Sequence, residues 1–449
     1  MKIGKRIGRM IGKRYIYFPV LWRKDTEISF GDIGVREWIG LHSIAMWYLI
    51  DQRMHVKKYS GVLQKLKEDL QRQYSIEDKK ILFIVEYHIT ARLEKIAKAL
   101  KKKGYAITLL YSSKFVPNTD RNALGRLKEC CEVVYAYDST TQLLYYTIDS
   151  RISLVHFFIG WNNFTTPLFM LQIKGIMPRI VSEKYDIFNG MYVPKVAPKK
   201  YCRAEKYIME HSDGVCCREY AMEYCEENLG FQLQRRYLVF LDYAENPGCF
   251  EKKGQDELSL CYPGIVTTEK ECPINSSYCW MELATKCEAN KCHLHIYPSH
   301  WDEQRYAHYI EYARKSRYFH FHHPVEHDKL YKEIAQYDYG IIPIKNTYLD
   351  YEINGVMSKD KQIYSSANKV FDYISAGIPI IAATPVRLTE EIEKHGGILR
   401  WTIDDYDFDE LRRRKTELRE AILRSREYWM IDNRISDLTD YYEQVLNNY

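Results

Sequence analysis

The sequence predicts an α/β fold of two parallel-sheet domains in one chain, and three observations predict it. Short apolar runs alternate with helix-length amphipathic segments, as strands buried on both faces of a parallel sheet require. This rhythm starts near residue 79, stops, and starts again near residue 257. The 449 residues exceed one typical core, and the interval 242–254 between the two series is rich in Gly, Pro and charge, as a linker is.

The elements follow in order. Residues 81–85 are the first apolar run. A helix over 90–103 comes next, with Leu93, Ile96, Ala97 and Leu100 on one face and Gly104 ending it. Strands are expected at 106–111, 132–135, 154–159 and 179–181, the last two separated by a helix at 167–174. In the second series a strand over 257–262 runs into Pro263 and Gly264, and 293–297 is another. A helix at 301–315, a strand at 318–322, a helix at 328–336 and a strand at 339–344 continue it. After a long polar loop, a helix over 368–375 is capped by Gly377 and leads into a strand at 378–382. Helices at 409–426 and 435–446 end the chain. The expected organisation is therefore an extension over 1–78, an N-terminal domain over 79–248, a C-terminal domain over 255–430, and a terminal helix in 431–449 that can pack back on the first domain.

The extension carries eight Lys/Arg and no acid before Asp25. Ile3, Ile7, Met10 and Ile11 recur at helical spacing opposite the basic residues, and Tyr15, Tyr17, Phe18 and Trp22 follow. Such a segment suits the anionic surface of a membrane. A solvated basic arm is the equal alternative, because Gly4, Gly8 and Gly12 each cost a helix about 1 kcal/mol relative to Ala. No run spans a bilayer: the best, 38–50, is short and carries His42 and Ser43.

Composition narrows the class. The apolar share of 46% and charged share of 28% are those of a globular protein, and a net charge of +5 over this length does not argue for nucleic acid. Tyrosine is in excess, with 39 copies against 16 Phe, which suits surfaces that stack on and hydrogen-bond to sugars. The twelve cysteines show no C-x-x-C pair and no secretory signal is evident, so reduced thiols in a cytoplasmic protein are expected.

The most informative segment is 365–382, Ser-Ser-Ala-Asn-Lys-Val-Phe-Asp-Tyr-Ile-Ser-Ala-Gly-Ile-Pro-Ile-Ile-Ala. It reads as a serine-rich loop feeding a helix N-terminus, then a glycine turn into a buried strand. Free N–H groups and the positive dipole end make such a start an anion site, to which Lys369 adds a charge and Ser366 a possible cap. Asp372, one turn on, could receive two ribose hydroxyls. An ordinary capped helix fits the residues equally well. His320, His322, His323 and His327 resemble metal ligands, but H-x-H on a strand fits simple exposure and no further ligands are evident, so no metal is expected. Glu86, Tyr87 and His88 follow the first strand, at the sheet edge where ligands bind; without fingerprint glycines they argue against NAD or FAD and leave His88 as an acceptor contact. Asp405-Tyr406-Asp407 lies past this segment, close to the C-terminal helices, not where a metal-binding D-x-D loop would serve.

Segment 365–382 resembles the P-N-K-(L/V)-F-E-Y-x-A-A-G-x-P-V-I stretch of the retaining, nucleotide-sugar-dependent "glycosyl transferases group 1" family. Residues 330–344 resemble that family's L-x-x-x-Y-x-x-A-D-(V/I)-x-(L/I)-x-P, and residues 262–266 with Lys270 its (Y/F)-V-G-R-L-x-x-x-K-G. Upstream, 154–156 resembles D-(V/I)-(V/I)-H and 207–219 the family's x-x-x-x-x-A-D-x-V-x-x-x-S-E. The resemblance implies a GT-B fold: two Rossmann-like domains with parallel sheets facing across a cleft. It implies a nucleoside diphosphate sugar in the C-terminal half as donor substrate, no cofactor, and a glycan or lipid-linked acceptor at the N-terminal half. Position by position, Lys270 and Lys369 would face the diphosphate with Gly264, Ser366 and Asn368. Asp372 would hold the ribose, and His156 would sit at a strand's C-terminal edge facing the cleft. Three departures stand out: Ile265 replaces the family arginine, Tyr364 replaces the first of two glutamates, and Asp372 is one methylene shorter than the second. Retention of configuration needs no protein base; inversion would need a carboxylate, for which Glu183 and Asp186, in the loop after the strand ending at 181, are the candidates. A sugar-nucleotide epimerase of the same architecture and a catalytically degenerate scaffold are the rival readings.

Overall fold

The computed structural model describes residues 79–447 apart from 87–88, 114–120, 151, 161–163, 173–177, 192–198, 234–235, 249, 251–256, 267–279 and 346–359. The basic extension, His88 and Lys270 lie outside the described residues.

Two parallel sheets form the molecule. The first has the order β3-β2-β1-β4-β5-β6-β7, from β1 (Lys80–Val85), β2 (Ala106–Ser112), β3 (Val133–Tyr137), β4 (Leu154–Ile159), β5 (Arg179–Lys184), β6 (Gly214–Cys217) and β7 (Tyr237–Val239). The second has the order β10-β9-β8-β11-β12-β13, from β8 (Leu258–Gly264), β9 (Cys292–Pro298), β10 (Phe319–Phe321), β11 (Tyr339–Ile342), β12 (Ile380–Ala382) and β13 (Ile398–Leu399). Each sheet reverses its winding beside its first strand, between β1 and β4 and between β8 and β11, where doubly wound sheets open a crevice.

Local sequence explains the elements that shape the site. In β1, residues 81–85 are all buried, so no alternation appears. The helix Ala91–Lys102 starts on Thr90, whose hydroxyl accepts from the Leu93 amide at 3.4 Å, and ends on Lys101 and Lys102 against the negative dipole end. The helix Asn368–Ala376 ends at Gly377, whose φ of 69° lets its amide and that of Ile378 return to the carbonyls of Ile374 and Tyr373. Tyr373 ties this helix to the second sheet by donating to the Ile341 carbonyl at 2.8 Å.

Three expectations change. β5 continues past 181 to Lys184, so Glu183 is a strand residue rather than a loop residue. The helix expected at 301–315 begins only at Ala307, after turns at 303–306. Asp242 and Tyr243, at the start of the linker, are buried against the first domain. The last helices, Phe408–Trp429 and Ile431–Asn447, cross from the second sheet to the first, and the final one lies on the helix Ala91–Lys102 and on β5. Among the described residues no helix is long and apolar enough to cross a membrane, and every cysteine is a free thiol.

Candidate active site between the two sheets

The start of the helix Asn368–Ala376 meets the C-terminal ends of strands from both sheets. Its N-cap is Ala367, and no side chain caps the helix, so the expected cap from Ser366 does not form. Ser366 is buried instead, and its hydroxyl has no hydrogen-bond partner. A hydroxyl so placed costs about 1–3 kcal/mol unless something binds it. Lys369 turns back over the end of β8: its ammonium stands 5.0 Å above the Tyr262 ring, and its stem lies on Gly264, where any Cβ would overlap it. Gly264 also has φ 145°, a conformation that side chains rarely adopt. Among the described residues no carboxylate pairs with Lys369 at ion-pair distance. Uncapped N–H groups, an unpartnered hydroxyl and an unpaired ammonium therefore converge at one place, which is a setting for an anion.

Asn368 faces the other sheet. Its amide donates to the Tyr185 hydroxyl at 2.7 Å and its oxygen accepts from Arg218 at 2.5 Å. Arg218, absent from the sequence-based candidates, joins both halves: it also donates to the Tyr185 carbonyl at 2.7 Å, to Asp242 at 3.0 Å and to Asp186 at 3.2 Å. Asp186 thus sits at the cleft but is committed to an arginine. The available signal was position, a charged residue immediately after the short apolar run 214–217. Asp372 is largely buried; its nearest recorded ionic partner is His327 at 4.0 Å, and burial pushes its carboxyl up against the pull of Lys95, His327 and Lys369.

His156 and Glu183 come together, both of them buried. β4 runs three residues beyond His156, so this side chain is mid-strand and wholly buried rather than facing the cleft. Its ring nitrogens contact the Tyr442 hydroxyl at 2.6 Å and Glu183 at 3.2 Å. Arg92 grips the same carboxylate at 2.8 and 3.2 Å. Burial works against the charge on Glu183, yet Arg92 and His156 hold it well below the usual carboxylate range, which makes it a weak base. Glu86, at the end of β1, behaves oppositely. Burial raises it to about 7 although Tyr137 donates to it at 3.0 Å. The recess beside these strands is lined by Val85, Thr90, Leu93, Phe158, Ile159, Tyr185 and Glu183 itself. Asp405 and Asp407 are occupied locally, the first by Thr402 and the second as the N-cap of the helix Phe408–Trp429.

No protein-family model and no curated protein sequence matches the chain. Solved structures do. The lipopolysaccharide outer core galactosyltransferase WaaB, in its apo form, matches with a TM-score of 0.51 at 13% identity, over 81% of this chain and 99% of that one. A mutant of S. aureus TarM, in complex with fondaparinux, alpha-GlcNAc-glycerol and UDP, matches with a TM-score of 0.52 at 10% identity, over 82% of this chain and all of that one. At these identities the likeness establishes architecture: the chain has the two-domain GT-B fold.

Proposed function

We propose that the chain is a glycosyltransferase that moves a sugar from a nucleoside diphosphate sugar to a glycan or lipid-linked acceptor, with no divalent ion at the diphosphate. The observation that carries this reading is the unpartnered, buried Ser366 hydroxyl at an uncapped helix start, beside Lys369 lying on Gly264. A departing diphosphate is the ligand such a cradle suits. As the anomeric C–O bond breaks, its electron pair passes to the phosphate oxygen, where Lys369 and the helix N–H groups meet the new charge. Lys270 would add a second cation by resemblance. Asp372 would receive the ribose, and the recess along β1, β4 and β5 would take the acceptor. Retention is favoured, the acceptor proton passing to the leaving phosphate oxygen, because Glu183 is bound to Arg92 and Asp186 to Arg218. The basic residues 1–24 would hold the enzyme at the cytoplasmic, anionic face of a membrane, where a lipid-linked acceptor for surface polysaccharide would be met.

The test pairs thermal shifts with turnover. UDP, GDP or CMP should raise the melting temperature of the full chain, since a ligand bound only by the native state stabilises it. Lys369→Ala should cost about 2–4 kcal/mol, mainly in turnover, and Asp372→Asn about 1–3 kcal/mol, mainly in donor binding. Normal turnover by both variants would remove the donor site from this helix. Conversion of the nucleotide sugar without acceptor would mark an epimerase, and no shift with any nucleotide a scaffold.

A further inference from the structure

A second constellation lies at the outer edge of the C-terminal sheet. β9 and β10 pair in parallel with His320 beside His295, and residues two apart on a strand share a face. His293, His295, His320 and His322 therefore form a two-by-two array. His293 Nδ1 lies 2.8 Å from His320 Nε2, and His295 Nδ1 lies 2.9 Å from His322 Nε2. The His295 and His320 rings stack at 4.3 Å. One ring nitrogen from each of His293, His295 and His320 falls within 4.8 Å of the others. Segment 320–327 by itself offers too few converging ligands; the second H-x-H, His293 and His295 on β9, supplies them.

Two further observations point to a ligand. His295 is 8% exposed, yet its Nε2 has no hydrogen-bond partner. Buried polar atoms are seldom left so. A ring nitrogen left without a partner can offer its lone pair, the form in which imidazole binds metals. Glu257 lies 2.9 Å from His293 Nε2, so that ring is oriented by a carboxylate and keeps its other nitrogen, an arrangement common behind metal-bound histidines.

We propose that His293, His295 and His320 bind one divalent transition-metal ion of the zinc class, with water completing its coordination. At Zn–N distances of about 2.0–2.1 Å, ligand nitrogens stand roughly 3.3 Å apart, so ring rotations must widen the 2.8 Å His293–His320 contact and bring the three nitrogens, all within 4.8 Å, to that spacing. The other divalent cluster geometry among the described residues, His156 with Glu183 and Cys216, is already filled by the Arg92 guanidinium. His293 is the second residue of β9, whereas the donor cradle lies at the C-terminal ends of the strands. The ion therefore fastens the three-residue edge strand β10 and takes no part in sugar transfer.

The experiment uses full-length protein purified without a polyhistidine tag, stripped with a chelator and dialysed against zinc chloride. Elemental analysis should find one zinc per chain, zinc should raise the melting temperature, and cobalt(II) should give the visible absorption of a tetrahedral site. His293→Gln and His320→Gln, both partly exposed, should each weaken zinc binding at least tenfold, while His323→Gln, outside the array, should not. Folded wild-type protein holding well under one zinc per chain, or wild-type affinity in both variants, would overturn the proposal. Neither result touches nucleotide binding, so the two readings fail separately.

Discussion

A carboxyl group at the end of a fully buried strand is ionised against its surroundings, and Glu86 is such a group. Its ordinary value of 4.5 rises to about 7, with burial outweighing the bond from Tyr137. The sign is set by which state keeps the proton. Below pH 4.5 folded and unfolded chains both hold it. Between 4.5 and 7 the unfolded chain has lost it and the folded chain has not, so stability falls as pH rises and levels off above 7. Glu86→Gln removes this titration while keeping an acceptor for Tyr137. Its stability relative to wild type should improve by about 1–3 kcal/mol between pH 5 and pH 8 in urea unfolding, and a constant gap would refute the shift. The contrast with Glu183 shows what single residues conceal. Both are glutamates at the ends of apolar runs, but one faces Tyr137 and the other Arg92 and His156. That difference comes from partners 51 and 91 residues distant in sequence, which no local pattern carries.

Elements were legible where their period was long enough to see. The five- to seven-residue strands and the helix with its closing glycine show in the sequence as apolar runs and a helical stripe. β10, β11 and β12, equally short, show because the pattern around them extends over 318–322, 339–344 and 378–382, whereas β6, β7 and β13, with four, three and two residues, are not among the expected strands. What lies over those short strands was also hidden. The final helix covers β6: the Tyr441 hydroxyl accepts from the Val215 amide at 2.7 Å and donates to the Arg236 carbonyl at 2.8 Å. Gly214 makes the approach possible, since a Cβ there would stand 2.6 Å from the Tyr441 hydroxyl and 2.7 Å from Val445. Both contacts involve well-packed groups with little room to yield. Gly214→Ala should therefore lower stability by about 1–3 kcal/mol, as overpacking does, and Gly214→Ala with Val445→Ala should recover part of the loss. An unchanged urea midpoint in the single variant would mean that the helix is not seated on β6.

At the scale of the whole molecule, two sheets that each fold around their own helices must still be held in one relation for a donor and an acceptor to meet. Buried apolar residues from both halves run together with Trp429, Ile435 and Leu438 of the last two helices, but apolar contact has no direction. Direction comes from Arg218. Its guanidinium, 6% exposed, stacks 3.8 Å from the Tyr185 ring and serves Asp186 and the Tyr185 carbonyl in the first half, Asp242 at the crossing, and Asn368 at the donor helix. Removing it strands a buried carboxylate at Asp242, which Arg92 reaches only at 3.5 Å, and cuts the link from that carboxylate to the helix that carries Lys369. Breaking a buried pair in this way costs about 3–5 kcal/mol, whereas the exposed crossing pair of Arg387 and Glu223 is worth about 0–1 kcal/mol. Arg218→Ala should thus melt in two resolved calorimetric transitions where the wild type shows one, the first-sheet half moving down by several degrees. Arg218→Lys should fall between, since a point charge cannot reach four acceptors at once. Arg387→Ala should melt as the wild type does. A single transition with an unshifted midpoint in Arg218→Ala would mean that the apolar seam and the other polar crossings, such as Tyr220 to Tyr364 and Tyr224 to Asp360, set how the two halves face each other without it.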